Sequence, residues 1–204
     1  MIQVPKFPEL TFDEKSHVYK LNALEIPSVS AVMRTLSDSY YGRIDSGILS
    51  NAAGRGTAVH HAIENYHEFG IVDIPAEHEG YFRAFLLWIE VEKASIIATE
   101  SRVYHRFMRY AGTCDAVCFI QNGVLTCVDY KTSSQIVEML VRVQLEAYAK
   151  AFESHGLKFD AKQVIHLRKD GSYEIKRFIC NDSEAWEVFC GLMTVQNYIN
   201  KFRR

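Results

Sequence analysis

Several features that would assign the chain to a common class of protein are missing from its 204 residues. No run of apolar residues approaches the length of a membrane span, so we expect no membrane partner. Neither an internal repeat nor a low-complexity tract is evident. Hydrophobic residues make up 48% and charged residues 24% of the chain, an ordinary globular mix that argues against wholesale disorder.

Cysteine is scarce and scattered, and none of the residues shows a CxxC spacing. The five are Cys114, Cys118, Cys127, Cys180 and Cys190. This pattern signals neither a zinc site nor a disulfide framework, so we expect buried free thiols. The first residues, MIQVPKFPELTFDEKSH, contain no signal-peptide core, and we expect a reducing cytoplasm.

An excess of one charge sign is also missing, since the formal net charge is -2 with histidine neutral. This balance argues against a protein that coats nucleic acid non-specifically. It leaves room for a local basic groove, because acids bound to a metal no longer count as free charge.

The first half of the chain reads mainly as helices. Residues 9–21 predict a small hairpin, and Ser28 predicts the cap of a helix that starts after Pro27. A helical pattern covers about 44–69, with a break expected at residues 54–56 and Gly70 as the C-cap. A further helix is predicted over 77–97.

In the second half of the chain, the hydrophobic pattern changes from helical spacing to the alternation typical of strands. Strands are predicted over 99–107 and in the two halves of the stretch 110–134, followed by a helix over 136–154. Residues 162–180 predict a hairpin, and the tail from Asp182 predicts a last helix. We therefore expect one α/β or α+β domain, with a central mixed sheet of about five strands flanked by helices. Its parts would be an N-terminal elaboration (1–43), a core (44–180) and a C-terminal helix (181–204).

The stretch AGTCDAVCFIQNGVLTCVDYKTSS, residues 111–134, reads as two apolar strands that nevertheless carry Asp115, Asp129 and Lys131. Asp129 and Lys131 share one face because they are two residues apart on a strand. A two-residue turn at Asn122-Gly123 would put Asp115 opposite Tyr130. A three-residue turn would put Asp115 opposite Asp129.

Facing carboxylates repel each other unless a cation lies between them. We therefore predict the three-residue turn over residues 121–123 and a divalent metal between Asp115 and Asp129. Oxygen ligands beside a lysine suit a hard cation, Mg²⁺ or Mn²⁺. For these three residues alone, an internal salt bridge between Lys131 and one aspartate is an equally good interpretation.

Five ordered motifs resemble the RecB-type branch of the PD-(D/E)XK nuclease superfamily, which includes phage exonucleases and the mitochondrial genome maintenance exonuclease. They are GTAVHHAIE at residues 56–64, Glu100, GTCD ending at Asp115, VDYKTS at residues 128–133, and QLEAY at residues 144–148. A single DxK motif is weak evidence, but five in the family's order are strong. The family's proline is replaced by Cys114, as in the GTxD members.

The resemblance implies a role for each matched position. Asp115, Asp129, His60 and the Tyr130 carbonyl would hold the metal, and Lys131 would be the catalytic lysine. Glu100, Gln144 and Tyr148 would support the site, and Glu64 would fix His60 on the shared face of its helix. The iron–sulfur members hold their cluster with a cysteine before the core and a close group after it. We expect no cluster here.

The contacts to DNA are predicted less sharply. Arg55 would meet phosphate at the start of a helix, Arg106 and Arg109 lie in the loop before GTCD, and Thr132 or Ser133 would bond phosphate or cap the next helix. Other arginines near the motifs are Arg43, Arg102 and Arg142. The default for each arginine is a solvated surface charge.

The resemblance implies Mg²⁺- or Mn²⁺-dependent hydrolysis of DNA phosphodiester bonds, most often by an exonuclease in recombination, repair or replication, and of phage type. DNA ends, single- or double-stranded, would be the partner, together with a recombination or single-strand-binding protein. Two alternatives stay open: a structure-specific endonuclease such as a junction resolvase, and a non-cutting DNA-binding protein on a nuclease fold. No helicase or ATP-binding motif is present, so a motor-fused enzyme is not expected.

Overall fold

A computed structural model describes residues 2–42, 44–121 and 123–202. The helices are α1 (Val29–Val32), α2 (Arg34–Tyr41), α3 (Ser46–Phe69), α4 (Glu79–Glu92), α5 (Glu138–Glu153) and α6 (Ser183–Phe202), with a short 3₁₀ turn at Ala76–His78. The strands are β1 (Leu10–Asp13), β2 (Val18–Leu21), β3 (Leu24–Ile26), β4 (Ser95–Tyr104), β5 (Ala111–Ile120), β6 (Val124–Lys131), β7 (Ala161–Leu167) and β8 (Tyr173–Phe178).

The central sheet has the order β4-β5-β6-β7-β8. The β6–β7 pair is parallel and the other neighbours are antiparallel. Parallel neighbours need a long crossover, and α5 supplies it. The predicted mixed sheet of five strands flanked by helices is confirmed.

Helices cover both faces of this sheet. Val29, Val32 and the apolar residues of α5 and α6 pack on one face, and Val59, Ile63 and the aromatic residues of α4 pack on the other. A fully buried ion pair joins Glu146 of α5 to Lys162 of β7 in the first of these layers. The sheet is thus a rigid middle layer that can hold side chains in place at its edges.

The register of the β5–β6 hairpin settles the question of its turn. Ile120 pairs with Val124 and Ala116 pairs with Val128, so three residues lie in the turn. Gly123 has φ +91°, a left-handed backbone that glycine adopts without strain. Asn122 lies outside the described residues. The three-residue turn is confirmed, and the same register makes Asp115 and Asp129 the next facing positions.

The N-terminal residues form more structure than the predicted hairpin. β1, β2 and β3 make a three-stranded antiparallel meander that packs on Ala111 and Tyr104 of the central sheet. The predicted cap at Ser28 is confirmed, because its hydroxyl accepts a hydrogen bond from the Ala31 amide. The third strand was missed because Leu24–Ile26 is too short to show a period.

The predicted break at residues 54–56 is wrong, since α3 runs without interruption from Ser46 to Phe69. Each interior glycine costs only about 1 kcal/mol relative to alanine, a cost that the rest of a long helix can bear. Asp45 caps the start of α3 through the amides of Gly47 and Ile48, and Gly70 ends it with φ +68° as predicted.

The end of α4 differs from the prediction, and the start of α6 agrees with it. The helix predicted over 77–97 ends at Glu92, where Lys93 turns left-handed, because the residues from Ser95 onward join the sheet. The last helix begins as predicted just after Asp182, whose carboxylate caps it by accepting a hydrogen bond from the Ala185 amide.

In the part of the chain that the structure describes, no helix combines the length and apolarity needed to cross a membrane. All five cysteines are free, as predicted. Cys114, Cys118 and Cys127 are buried, whereas Cys180 and Cys190 are partly exposed.

Candidate active site

A cleft of about 560 Å³ opens where α3 faces the middle of β4 and the end of β6. Gly56 and His60 line it from α3, Glu100 lines it from β4, and Lys131 lines it from β6. The N-terminal meander supplies the opposite wall through Phe12 and neighbouring residues. The cleft therefore gathers side chains from separate parts of the sequence around one open space.

Two side chains that line this cleft, His60 and Glu100, form a compact group of potential metal ligands with the neighbouring Asp115. One ligand atom from each lies within 4.8 Å of the other two. His60 Nδ1 is 3.5 Å from Glu100 Oε1 and 3.7 Å from Asp115 Oδ1. The sequence predicted each of these residues for the site, and the fold brings them together.

The other nitrogen of His60, Nε2, lies 3.2 Å from the Tyr130 carbonyl oxygen. A carbonyl only accepts hydrogen bonds, so Nε2 carries the proton and Nδ1 faces the acids. Burial alone would lower the pKa of His60, but the Asp115 and Glu100 carboxylates outweigh it and raise the pKa to about 9. Without a metal, the two acids thus favour a protonated His60, and a cation bound at Nδ1 would replace the proton on that nitrogen.

The backbone at Glu100 is irregular, with φ +42° inside strand β4. Residues with side chains seldom adopt this left-handed conformation, and such outliers cluster at functional sites. On either side, Thr99 pairs with Ala116 and Ser101 with Cys114, so the irregular residue lies opposite Asp115. The distortion is confined to the point where β4 reaches the acidic group.

Asp115 is held in place from the neighbouring strand. Its Oδ2 accepts a hydrogen bond of 2.7 Å from the Tyr130 amide, which leaves Oδ1 facing His60. Burial raises the pKa of Asp115, although His60 and Lys131 act in the opposite direction. A carboxyl group whose pKa is raised in this way is stabilised in its ionised form by a cation close to it.

Asp129 lies across from Asp115 on β6 and contacts Lys131. Lys131 Nζ lies 2.6 Å from Asp129 Oδ2, a short charge-assisted contact. The other oxygen of the buried Asp129, Oδ1, has no hydrogen-bond partner among the described residues. Burial raises the pKa of Asp129 to about 6 despite the lysine, so this carboxylate is under-compensated.

Lys131 has the character of a fixed cation. Burial lowers its pKa, but the Asp129 and Asp115 carboxylates outweigh burial and raise the pKa above its ordinary value. The ammonium lines the cleft and is partly exposed. It can therefore stabilise negative charge but does not act as a base near neutral pH.

The donor set in the cleft fits a hard divalent cation. One imidazole nitrogen and two carboxylate oxygens converge, and Mg²⁺ and Mn²⁺ favour oxygen-rich sites of this kind. Asp129 adds one further acceptor, Oδ1, which has no hydrogen-bond partner among the described residues. The metal predicted between Asp115 and Asp129 stays a prediction; the group present here pairs Asp115 with Glu100 and His60 instead.

Gln144 and Tyr148 lie on the opposite face of the sheet, beside Asp129 rather than in the cleft. Gln144 Nε2 donates a hydrogen bond of 3.0 Å to the Tyr148 hydroxyl. A Cβ on Gly112 would lie 2.5 Å from the Tyr148 ring, so only glycine fits there. This packing gives a structural reason for the glycine of GTCD.

Glu64 does not contact His60, contrary to prediction. Its Oε2 lies 3.6 Å from Nδ1 of His61, the neighbouring histidine. The i,i+4 spacing puts Glu64 and His60 on one face, but His60 turns toward the acids of the sheet and Glu64 toward the rim. Glu64 still lines the cleft.

Arg55 lies in the middle of α3, so the helix start predicted for it is wrong. Its Nε donates to the Thr132 hydroxyl at 3.4 Å, and its guanidinium lies 5.6 Å from the centre of the Tyr81 ring. Ser133 joins these residues in a side groove that leads off the cleft. Thr132 and Ser133 cap no helix, since α5 begins only at Glu138.

Arg106 and Arg109 lie in the β4–β5 turn and do not line the cleft. The Arg106 amide donates to the Ser154 hydroxyl, which places this turn at the carboxyl end of α5. Arg142 is held by Asp182 and Glu184. Arg43 lies outside the described residues.

Phe12, His17 and Arg102 also line the cleft. No role was predicted for Phe12 or His17, and Arg102 was predicted only as a surface charge near the motifs. Phe12 and His17 belong to the meander, whose docking beside β4 has no local signal. Arg102 is two residues after Glu100 on one strand, and that spacing could have indicated a shared face.

No family model matches the sequence, and no curated protein matches it. Among solved structures, the chain is similar to an alkaline exonuclease from Laribacter hongkongensis, with TM-score 0.36, 11% identity, and coverage of 74% of this chain and 91% of that one. The same enzyme in complex with dAMP gives TM-score 0.38, 12% identity, and coverage of 87% and 93%. At these values the similarity carries no weight for function, so the proposal below starts from the cleft.

Proposed function

We propose that this protein is a Mg²⁺- or Mn²⁺-dependent nuclease that hydrolyses DNA phosphodiester bonds. The observation that carries the proposal is one cleft that unites a three-residue ligand group with a buried acid–lysine pair. Metal ligands next to a fixed cation suit reactions in which negative charge develops on phosphate. The five ordered motifs resembling the RecB-type nucleases support the same reaction.

His60, Glu100 and Asp115 would hold the cation, with Asp129 oxygens available beside them. When bound, the cation supplies charge neutralisation at the phosphate and a water of lowered pKa. The Tyr130 main chain orients two ligands at once, since its amide binds Asp115 and its carbonyl binds His60. Partners of this kind fix ligand orientation in metal sites.

Lys131 would stabilise the charge that develops on the phosphate oxygens. Its ammonium stays protonated because Asp129 and Asp115 raise its pKa, and Asp129 holds it at the cleft floor. Gln144 and Tyr148 would act indirectly, by packing Gly112 and the strand behind Asp129. They touch no residue of the ligand group and would position the site rather than react.

The DNA strand would leave the cleft along the side groove. Arg55, Thr132 and Ser133 line that groove, and its further lining includes Arg168 and Lys169. Hydroxyls and cations of this kind bind backbone phosphates and carry no sequence preference. Arg106 and Arg109 do not belong to this path, because they lie in the β4–β5 turn outside the cleft.

An exonuclease acting on DNA ends is the mode we favour, in a phage-type recombination, repair or replication role with a recombination or single-strand-binding protein as partner. The motif resemblance supports this finer assignment.

The test uses linear and circular DNA, with label at one end, incubated with Mg²⁺ or Mn²⁺. Stepwise release of mononucleotides from linear DNA is expected, and circular DNA should stay intact. A few internal cuts would replace the exonuclease mode by a structure-specific endonuclease. Binding of DNA without any cutting, together with no Mn²⁺ binding by calorimetry, would instead indicate a non-cutting DNA-binding protein.

A further inference from the structure

Arg102 occupies an unusual position at the edge of the ligand group. It follows Glu100 by two residues on β4, and both side chains line the cleft. The centre of its guanidinium lies 5.4 Å from the centre of the Phe12 ring. An arginine over an aromatic face is attracted electrostatically and loses part of its freedom. Phe12 of the N-terminal meander therefore helps to hold this β4 arginine beside the site.

Phe12 is itself fixed in place. It pairs with Tyr19 across β1 and β2, and their ring centres lie 4.4 Å apart. The Tyr19 hydroxyl shares a hydrogen bond of 2.7 Å with the Thr113 hydroxyl, in the strand that carries Asp115. The ring under Arg102 is thus tied to the same strand as the ligand group.

The guanidinium of Arg102 is available to a ligand. It makes no hydrogen bond to the residues that the structure describes, and its side chain is 46% exposed. Its one ion pair is with Glu14 at 3.9 Å, and the Glu14 side chain is 75% exposed. Pairs of this kind contribute little. The planar fork is therefore free for an anion that enters the cleft, and its geometry matches a phosphate.

The charges around the cleft indicate where such an anion would lie. Glu64 lines the cleft together with Glu100 of the ligand group, and carboxylates there would repel a phosphodiester strand wherever no metal neutralises them. Arg102 lies on the meander side of these acids, and Arg55 lies on the side-groove side. Two cations that bracket an acidic centre can hold a strand across it, one phosphate to each side.

We propose that Arg102, supported by the Phe12 ring, is a substrate-positioning residue that binds a backbone phosphate next to the one at the ligand group. The N-terminal meander thereby becomes part of the substrate site. This inference rests on the proposed nuclease function, since it assumes a nucleic-acid strand in the cleft.

The test measures binding of a fluorescent single-stranded oligonucleotide by anisotropy across a salt series, with the full chain carrying Lys131→Met so that the strand is not cut. Arg102→Ala should weaken binding about tenfold or more, as expected for a charge-assisted bond. It should also reduce the slope of log affinity against log salt by about one phosphate contact. Arg102→Lys should keep the slope and lose part of the affinity, because its charge remains without the fork.

Arg106→Ala is the matched control, since it removes an arginine from the same hairpin but outside the cleft. It should leave affinity and slope unchanged. Thermal melting checks that each variant is folded, and Arg102→Gln, which keeps most of the side-chain volume, replaces Arg102→Ala if that variant melts early.

The role of Phe12 is tested by a double-mutant cycle. Phe12→Ala should weaken binding a few-fold in the chain with Arg102, and should have no further effect once Arg102 is alanine. An equal loss in both backgrounds would show that Phe12 serves only the fold of the meander, and would overturn its supporting role.

Failure of this inference is distinct from failure of the proposed function. If the unaltered chain cuts DNA but Arg102→Ala and Arg102→Gln bind with unchanged affinity and salt slope, only the role of Arg102 is overturned. If the unaltered chain neither binds nor cuts DNA, both proposals fall.

Discussion

The ligand group of the cleft and the Lys162–Glu146 ion pair both place charge within layers of apolar side chains. In the ion pair, one cation faces one anion, and both side chains are fully buried. In the cleft, Glu100, Asp115 and Asp129 face fewer cations, and the space beside them is open to solvent. Each arrangement contains a buried carboxylate oxygen without a hydrogen-bond partner among the described residues, Oε1 of Glu146 and Oδ1 of Asp129. The ion pair is closed to solvent, whereas the cleft is open and carries more acids than cations.

This difference distinguishes charged residues that stabilise the fold from charged residues that can bind a ligand. A sealed one-to-one pair is compensated by its partner and has no room for a ligand. The cleft combines excess acids, access to solvent and a left-handed residue in a strand, Glu100. Those three properties together, rather than burial of charge, mark the candidate site.

The largest effect should come from Lys131→Met, which removes the cation of the cleft. We expect kcat for DNA hydrolysis to fall by about 10²–10³-fold, because a fixed charge that stabilises the transition state is lost. Release of end-labelled nucleotides measures the rate. Lys158→Met, on an exposed lysine distant from the cleft, is the matched control. A rate within threefold of the unaltered protein would rule out the proposed role of Lys131.

Substitutions in the Lys162–Glu146 pair should change the free energy of unfolding rather than the rate of DNA hydrolysis. Glu146→Leu alone leaves Lys162 buried without a partner and should destabilise the fold by about 3–5 kcal/mol. Combining it with Lys162→Met should restore most of that stability, and the double variant should still cut DNA. Urea unfolding gives the free energies. A single variant as stable as the double one would show that the pair is not compensated in the way described.

Binding of Mn²⁺ should depend on the ligand group of the cleft and not on the Lys162–Glu146 pair. A ligand that binds only the folded state adds about 2.7 kcal/mol at a hundredfold excess over its dissociation constant. We expect the melting temperature to rise with Mn²⁺ in the unaltered protein and in the Lys162→Met, Glu146→Leu double variant, but not in Asp115→Asn. A shift that persists in Asp115→Asn would place the metal elsewhere.

Gly112→Ala tests the packing that joins the two regions through α5. The added Cβ meets Tyr148 at 2.5 Å, so we expect a loss of about 1–3 kcal/mol from overpacking. Gly191→Ala in α6 meets no neighbouring atom within 4 Å and serves as control. Equal unfolding free energies for these two variants would mean that the Tyr148 ring moves aside without cost.

The smallest effect is expected at Gly54, in the helix that walls the cleft. No atom lies within 4 Å of the position that its Cβ would occupy. Gly54→Ala should therefore stabilise the protein by about 0.5–1 kcal/mol through helix propensity alone. A loss of stability, measured by urea unfolding, would show that the cleft wall needs the flexibility of glycine there.

The sequence predicted the parts of the fold that local pattern controls. The helices and strands of the core follow from their periods. The three-residue turn was predicted together with a metal between Asp115 and Asp129, and the strand register confirms the turn. The break at Gly54 was wrong because a penalty of about 1 kcal/mol is too small to stop a long helix.

Contacts between distant segments were beyond such reasoning. Phe12 meets Arg102 only because the meander docks on the central hairpin, and no periodic signal encodes that docking. Glu64 was assigned to His60 from helical spacing, yet the acids of β4 and β5 attract the imidazole more strongly. Which neighbour wins depends on the tertiary surroundings of a residue.

Helix α5 carries Gln144 and Tyr148 behind Asp129 and, between them, Glu146 in the sealed pair. Rotating this helix by one residue would pull Glu146 off Lys162 and bury two unpaired charges. The ion pair therefore fixes the rotation of α5 about its own axis. An interaction with no part in the chemistry would thus fix how the Tyr148 ring meets Gly112, and so the alignment of the strand that bears Asp115.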